Sequence, residues 1–300
     1  MSKRLRVITQ KQVAGFLPKR PRDSHKGLFG TVAVIGGADG MIGAPLLAAR
    51  AARKLGAGCV HVGLLAENAP GVDLLQPELM LHKAADLLRL HPHPNPPPKG
   101  EGANAGNILK FDVLAVGCGM GHDLAAQKIL YHALKLNTAL VVDADALTLL
   151  ARHTDLQADL RARKSPTIIT PHPGEAARLL VRSTDDIQAA RPEAAQELAK
   201  RLQCSVVLKG ADSLCVTRAG KLFINKTGNP GMSSAGMGDV LTGMIAAFIA
   251  QGIPADDAML LAVHLHGAAG DALAEQGITV GMTASEVTEW ARWLLNQWAP

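Results

Sequence analysis

Short apolar runs rich in Val, Ile and Leu recur along the chain, and each ends on glycine, proline or an ionisable residue before a helix-like stretch begins. The run at 31–37 closes on Gly36 and Gly37, which predicts a buried strand and its turn. Residues 43–55 follow as a helix, with Pro45 near the start and Gly56 as the stop. Further strands are predicted at 59–63, 112–117, 138–143, 167–170 and 205–209. Strands without polar alternation, separated by helices, predict an α/β fold with a mostly parallel central sheet. In such sheets ligands bind in a crevice at the strand carboxyl ends. The pair 215–217 and 221–225 reads as a hairpin that gives the sheet an antiparallel edge. The stretch 240–249 has hardly any polar face, so it predicts a central, buried helix. Another helix is predicted at 255–274, and Trp290 and Trp293 mark a last amphipathic one.

The loop that feeds the central helix carries the chemistry. Gly236 and Gly238 bracket Met237, so the backbone can turn sharply and aim the first free N–H groups of the helix at one spot. The helix dipole adds partial positive charge there, which makes an anion cradle. Asp239 is the misfit: a carboxylate in that turn either caps the helix or has a task such as accepting a proton from a bound group. The other glycine-rich turn, with glycines at 36, 37, 40 and 43, fits neither the dinucleotide fingerprint nor a Walker loop.

Composition narrows the class. With 48% hydrophobic and 19% charged residues over 300 positions, the chain is expected to form one globular domain. No apolar run approaches the length of a membrane span, and the N-terminus lacks the apolar core of a signal peptide, so a cytoplasmic protein that binds no membrane is expected. Of the formal charge of +5, residues 1–26 hold eight basic side chains against Asp23, a net of +7, which leaves −2 for the rest. The basicity therefore belongs to an N-terminal arm, residues 1–28, ahead of a domain at 29–300, and not to a nucleic-acid groove. Nine aromatic residues offer few stacking platforms for bases. Four cysteines without a C-x-x-C pair suggest neither zinc nor disulfides. Residues 91–106, dense in proline, read as a surface insertion, where His91 and His93 lack a third ligand nearby. His264, His266 and Asp271 are expected in core or capping roles.

Taken together, His25-Lys-Gly27, Gly43-Ala-Pro45, Gly117-Cys-Gly-Met-Gly121, Val142-Asp-Ala-Asp-Ala-Leu147, Thr170-Pro-His-Pro-Gly-Glu175, Leu208-Lys-Gly210 and Gly236-Met-Gly-Asp239 stand in an order that resembles the ADP-dependent NAD(P)H-hydrate dehydratases. That resemblance implies a ribokinase-like three-layer α/β/α sandwich and a lyase of metabolite repair. Such an enzyme dehydrates the S epimer of hydrated NADH or NADPH while ADP gives AMP and phosphate. It implies Asp239 as the base that takes the ring hydroxyl proton, with Gly236, Met237 and Gly238 as the anion hole. Lys209, Gly210, Ala211, Asp212 and Ser213, with Gly238, would hold the adenylate. Ala44, Gly119, Gly121 and His172, with Asp239, would face the hydrated dinucleotide, and Glu175 would serve Mg2+. The partners it implies are ADP as co-substrate, the hydrated cofactors, a homo-oligomeric assembly such as a tetramer, and a separate NAD(P)H-hydrate epimerase, since no epimerase module is seen ahead of this domain. The chain departs from the family pattern at Met237, where threonine is common, and at Cys118, where proline is. Two rivals use the same loop: a small-molecule kinase that stops at the phosphorylated alcohol, and a nucleotide-binding regulator without turnover.

Overall fold

A computed structural model describes residues 5–90 and 109–299; the proline-rich stretch expected at 91–106 lies outside the described residues. Among the described residues ten strands form one sheet: β1 (Arg6–Val7), β2 (Thr31–Gly36), β3 (Cys59–Leu64), β4 (Met80–Lys83), β5 (Val113–Val116), β6 (Ala139–Val142), β7 (Thr167–Ile169), β8 (Ser205–Leu208), β9 (Leu214–Val216) and β10 (Leu222–Ile224). Their order is β1-β10-β9-β8-β7-β6-β5-β2-β3-β4. All neighbours are parallel except β8 with β9 and β9 with β10.

Successive strand residues feed opposite cores, because side chains alternate across a sheet. Val32 and Val34 join one cluster with the helices Gly43–Lys54, Met237–Ala250 and Ala255–Glu275. Ala33 and Ile35 join a second cluster with Leu124–Lys135, Ala144–Arg152 and Arg191–Leu202. Two cores around one sheet make the three-layer α/β/α sandwich expected from the sequence.

Two elements differ from the sequence reading. Residues 5–28 are not an arm apart from the domain: Arg6 and Val7 pair with Phe223 and Ile224, and Ile8 and Val13 are buried. The hairpin β9–β10 therefore does not form the sheet edge, since β1 covers it in parallel. At the other edge β4 escapes the apolar pattern, because its residues are exposed or only partly covered.

Candidate active site

The central helix Met237–Ala250 is buried along most of its length, which fixes its N-terminus firmly. Gly236 caps it at φ 89°, a left-handed conformation that glycine tolerates best. A Cβ there would come within 2.6 Å of Leu47 and 3.1 Å of Ala284, so side chains of two other helices also press on this turn. At Gly238 a Cβ would lie 3.2 Å from Lys209 Nζ and 3.4 Å from Asp143 Oδ2, which brings the cradle against a buried ion pair.

That pair belongs to a network in which Asp143 and Thr242 had no role in the sequence reading. Lys209 Nζ donates to Asp143 Oδ1 at 2.6 Å, and Thr242 Oγ1 donates to Asp143 Oδ2 at 2.9 Å. Glu175 Oε2 lies 4.0 Å from the same ammonium. Three carboxylates, Asp143, Glu175 and Asp239, thus share one neighbourhood with a single lysine. Burial pushes the Asp239 carboxyl up to about 6, and the charges of Asp143 and Asp145 add to the rise. A hydrogen bond from the buried Cys118 thiol and the charge of Lys209 oppose it. Glu175 is pushed up to about 7, again chiefly by burial. A carboxylate held near 6 is a competent general base at neutral pH.

The residues expected to bind nucleotide converge. Lys209, Gly210, Ala211, Asp212, Ser213, Met237 and Gly238 line one cavity of about 510 Å3. Gly236 stands behind it as the helix cap. Met237 is 8% exposed and also belongs to the core, so the threonine-to-methionine departure leaves the backbone cradle in place. The residues expected to face the dinucleotide lie outside this cavity. A Cβ on Gly119 would sit 3.2 Å from that of Ala44, and the Gly121 N–H donates to Asp145 Oδ2 at 2.9 Å. His172 caps the helix Pro173–Leu180, its Nδ1 accepting from Gly174 and Glu175 N–H. A larger cavity of about 1150 Å3, beside Leu64, Leu88 and Ile129, contains none of the expected site residues.

Glu175, expected to serve Mg2+, also closes the turn ahead of its own helix. Its Oε2 accepts from the His172 N–H at 2.7 Å, completing a capping box. Among the described residues no group of three or more His, Cys, Asp and Glu could hold a metal ion. Magnesium that arrives with a nucleotide draws on only one or two protein carboxylates, phosphate and water supplying its other oxygens. The core and capping roles expected for residues 264–271 are seen at His264 and Asp271. His264 is a core group bonded to Asn225, and Asp271 tethers the cradle loop by accepting from Gly228 N and Asn229 Nδ2. His266, however, stands in the wall of the nucleotide-sized cavity, its Nε2 buried without a hydrogen-bond partner. Burial, with Lys209 nearby, pushes its pKa down to about 4, so the ring is neutral. Among the described residues, no helix is long and apolar enough to cross a membrane.

A glycine cradle on a buried helix, a carboxylate in its first turn and a lysine beneath it define an enzyme of the ribokinase-like class. The sequence model of the NAD(P)H-hydrate dehydratase family matches residues 32–292, and the chain belongs to that family. The ADP-dependent (S)-NAD(P)H-hydrate dehydratase of Neisseria meningitidis serogroup B is 39% identical over 93% of this chain and 89% of its own length. A bifunctional NAD(P)H-hydrate repair enzyme of Coxiella burnetii is 37% identical, and here the match spans 97% of this chain but 55% of the relative. The crystal structure of the Bacillus subtilis ADP/ATP-dependent NAD(P)H-hydrate dehydratase, co-crystallised with ATP and Mg2+, superposes with a TM-score of 0.84 at 27% identity, covering 99% of this chain and all of that one.

Proposed function

We propose that this chain dehydrates the S epimer of hydrated NADH or NADPH, using ADP and releasing AMP and phosphate. The observation that carries this reading is Asp239 in the first turn of the cradle helix, beside the Lys209–Asp143 pair, in a member of the dehydratase family. Asp239 takes the proton of the ring hydroxyl, whose oxygen attacks the β-phosphorus of ADP as the bond to AMP breaks. The poor leaving group thereby becomes a phosphate ester. Its C–O bond then breaks, the neighbouring ring carbon gives up a proton, and phosphate departs as the reduced nicotinamide is restored. In this reading the N–H groups of Gly236, Met237 and Gly238 hold the charge on the transferred phosphoryl, where one such donor is worth about 2.7–4 kcal/mol. Lys209 to Ser213 take the adenylate, and Ala44, Gly119, Gly121 and His172 take the hydrated dinucleotide. Any Mg2+ would enter with the nucleotide, with phosphate and water supplying most of its oxygens. A partner epimerase would feed the S epimer, and a homo-oligomeric state is open to sedimentation measurement.

The test is to incubate the purified protein with the hydrate and either ADP or ATP. Recovery of reduced-nicotinamide absorbance with ADP is expected, whereas a stable phosphoester formed with ATP overturns the reading in favour of a kinase. The acid limb of kcat/KM supplies a second check. Catalysis needs the ionised form of Asp239, so activity should fall as pH drops through about 6. A limb near the ordinary aspartate value would exclude Asp239 in its buried setting as the base.

A further inference from the structure

Asp143 directly follows β6 and caps the helix Ala144–Arg152 by position, yet no N–H of that helix reaches its side chain. It is 1% exposed. Both carboxylate oxygens are instead spent on other elements, Oδ1 on Lys209 just past β8 and Oδ2 on Thr242, one turn beyond Asp239 on the cradle helix. One side chain therefore ties two strand ends to the helix that carries the expected base. Gly238 lies over the ion pair, close enough that a Cβ would touch both partners. A lysine on a flexible four-carbon stem keeps its ammonium in one place when a buried counter-charge holds it.

We propose that Asp143 is a positioning residue: it fixes the Lys209 ammonium against Gly238, where the transferred phosphoryl group arrives, and sets its own negative charge beside Asp239. The inference rests on the role given to Asp239 above. The groups acting on Asp239 are Cys118, Asp143, Lys209 and Asp145; those acting on Lys209 are Asp143, Glu175 and Cys118, and Lys209 in turn acts on His172 and His266. Asp143 and Asp145 favour the protonated form of Asp239, while Lys209 and the Cys118 thiol favour the carboxylate. Removing the charge at 143 therefore makes Asp239 a weaker base.

The experiment is a carbon-13 NMR titration of the Asp239 carboxyl in the wild type and in D143N, the resonance being assigned by its absence in D239N. The wild-type midpoint is expected near 6. In D143N it should fall, because the charge of Asp143 acts on Asp239 more strongly than that of Lys209. With Lys209 misplaced, kcat should drop roughly tenfold to a hundredfold, and ADP, which Lys209 helps to hold, should bind more weakly by a smaller factor. An unchanged midpoint overturns the proposal. Because D143N could fail to fold, the Lys209 ammonium is also followed by nitrogen-15 NMR in the wild type. A slowly exchanging, ordered signal before nucleotide is added is expected, and a freely averaging one overturns the proposal. If these NMR results hold but the wild type does not turn over the hydrate with ADP, the proposed function fails and the positioning role stands.

Discussion

Replacing Asp239 with asparagine is expected to lower dehydration of the hydrate by about 10²–10⁴-fold while ADP still binds. The nucleotide-sized cavity is built from Lys209 to Ser213, Met237 and Gly238, and the asparagine leaves all of these in place. Binding and turnover should therefore separate, which calorimetry with ADP and single-turnover kinetics with the hydrate can read. The variant also has an expected sign on stability. The folded protein holds the Asp239 pKa above its ordinary value, so the charged carboxylate is the form that the fold disfavours. Above about pH 6 the wild type carries that penalty, and a neutral asparagine of the same shape removes it. The melting temperature of D239N at neutral pH should equal or exceed that of the wild type, and the difference should vanish in acid as Asp239 protonates. Equal turnover in the two proteins would remove Asp239 as the base, whereas ADP binding with no turnover in either would leave the nucleotide-binding regulator as the better reading.

The parts of this fold that could be read from sequence are those whose determinants are local. The strands at 31–36, 113–116, 139–142 and 205–208 are covered on both faces, so their apolar runs are unbroken. The cradle was legible because its glycines and its carboxylate lie within four residues of one another. The edges were not. Arg6 and Val7 are exposed and Met80 is 37% exposed, so neither β1 nor β4 carries the buried pattern. The charge of residues 1–26 masked the two apolar side chains, Ile8 and Val13, that dock the segment. The support beneath the cradle was hidden for a different reason: Asp143 meets Lys209 across 66 positions and Thr242 across 99. A strand-terminal aspartate at the start of a helix reads as an ordinary cap, and only the packing of three elements gives it another use. The place of His266 in the cavity wall was not legible either, because its helix serves both the core and the cavity.

The close approach of the cradle helix to its neighbour underlies the largest expected loss of stability. Gly243 lies midway along Met237–Ala250, where alanine would ordinarily favour a helix by about 1 kcal/mol. Here a Cβ would fall 2.0 Å from the Ala48 carbonyl oxygen and 2.9 Å from Ala48 Cα. These are backbone atoms of Gly43–Lys54, which no rotamer change can move, so the two helices must separate. Steric cost exceeds propensity, and G243A should be destabilised by about 3 kcal/mol or more, lowering the melting temperature by roughly 6 °C. Gly43 supplies the contrast, since a Cβ there meets nothing within 4 Å, and G43A should be neutral or slightly stabilising. The damage from G243A should also reach the site. The displaced helix carries Gly236 to Asp239 at its N-terminus and Thr242 one residue before the clash, so the anchor on Asp143 shifts with it. Residual folded G243A should therefore show reduced kcat even under conditions that keep it native. Wild-type stability in G243A would mean that the contact between these helices yields at small cost, and that Asp239 is held in place chiefly by the polar network beneath it.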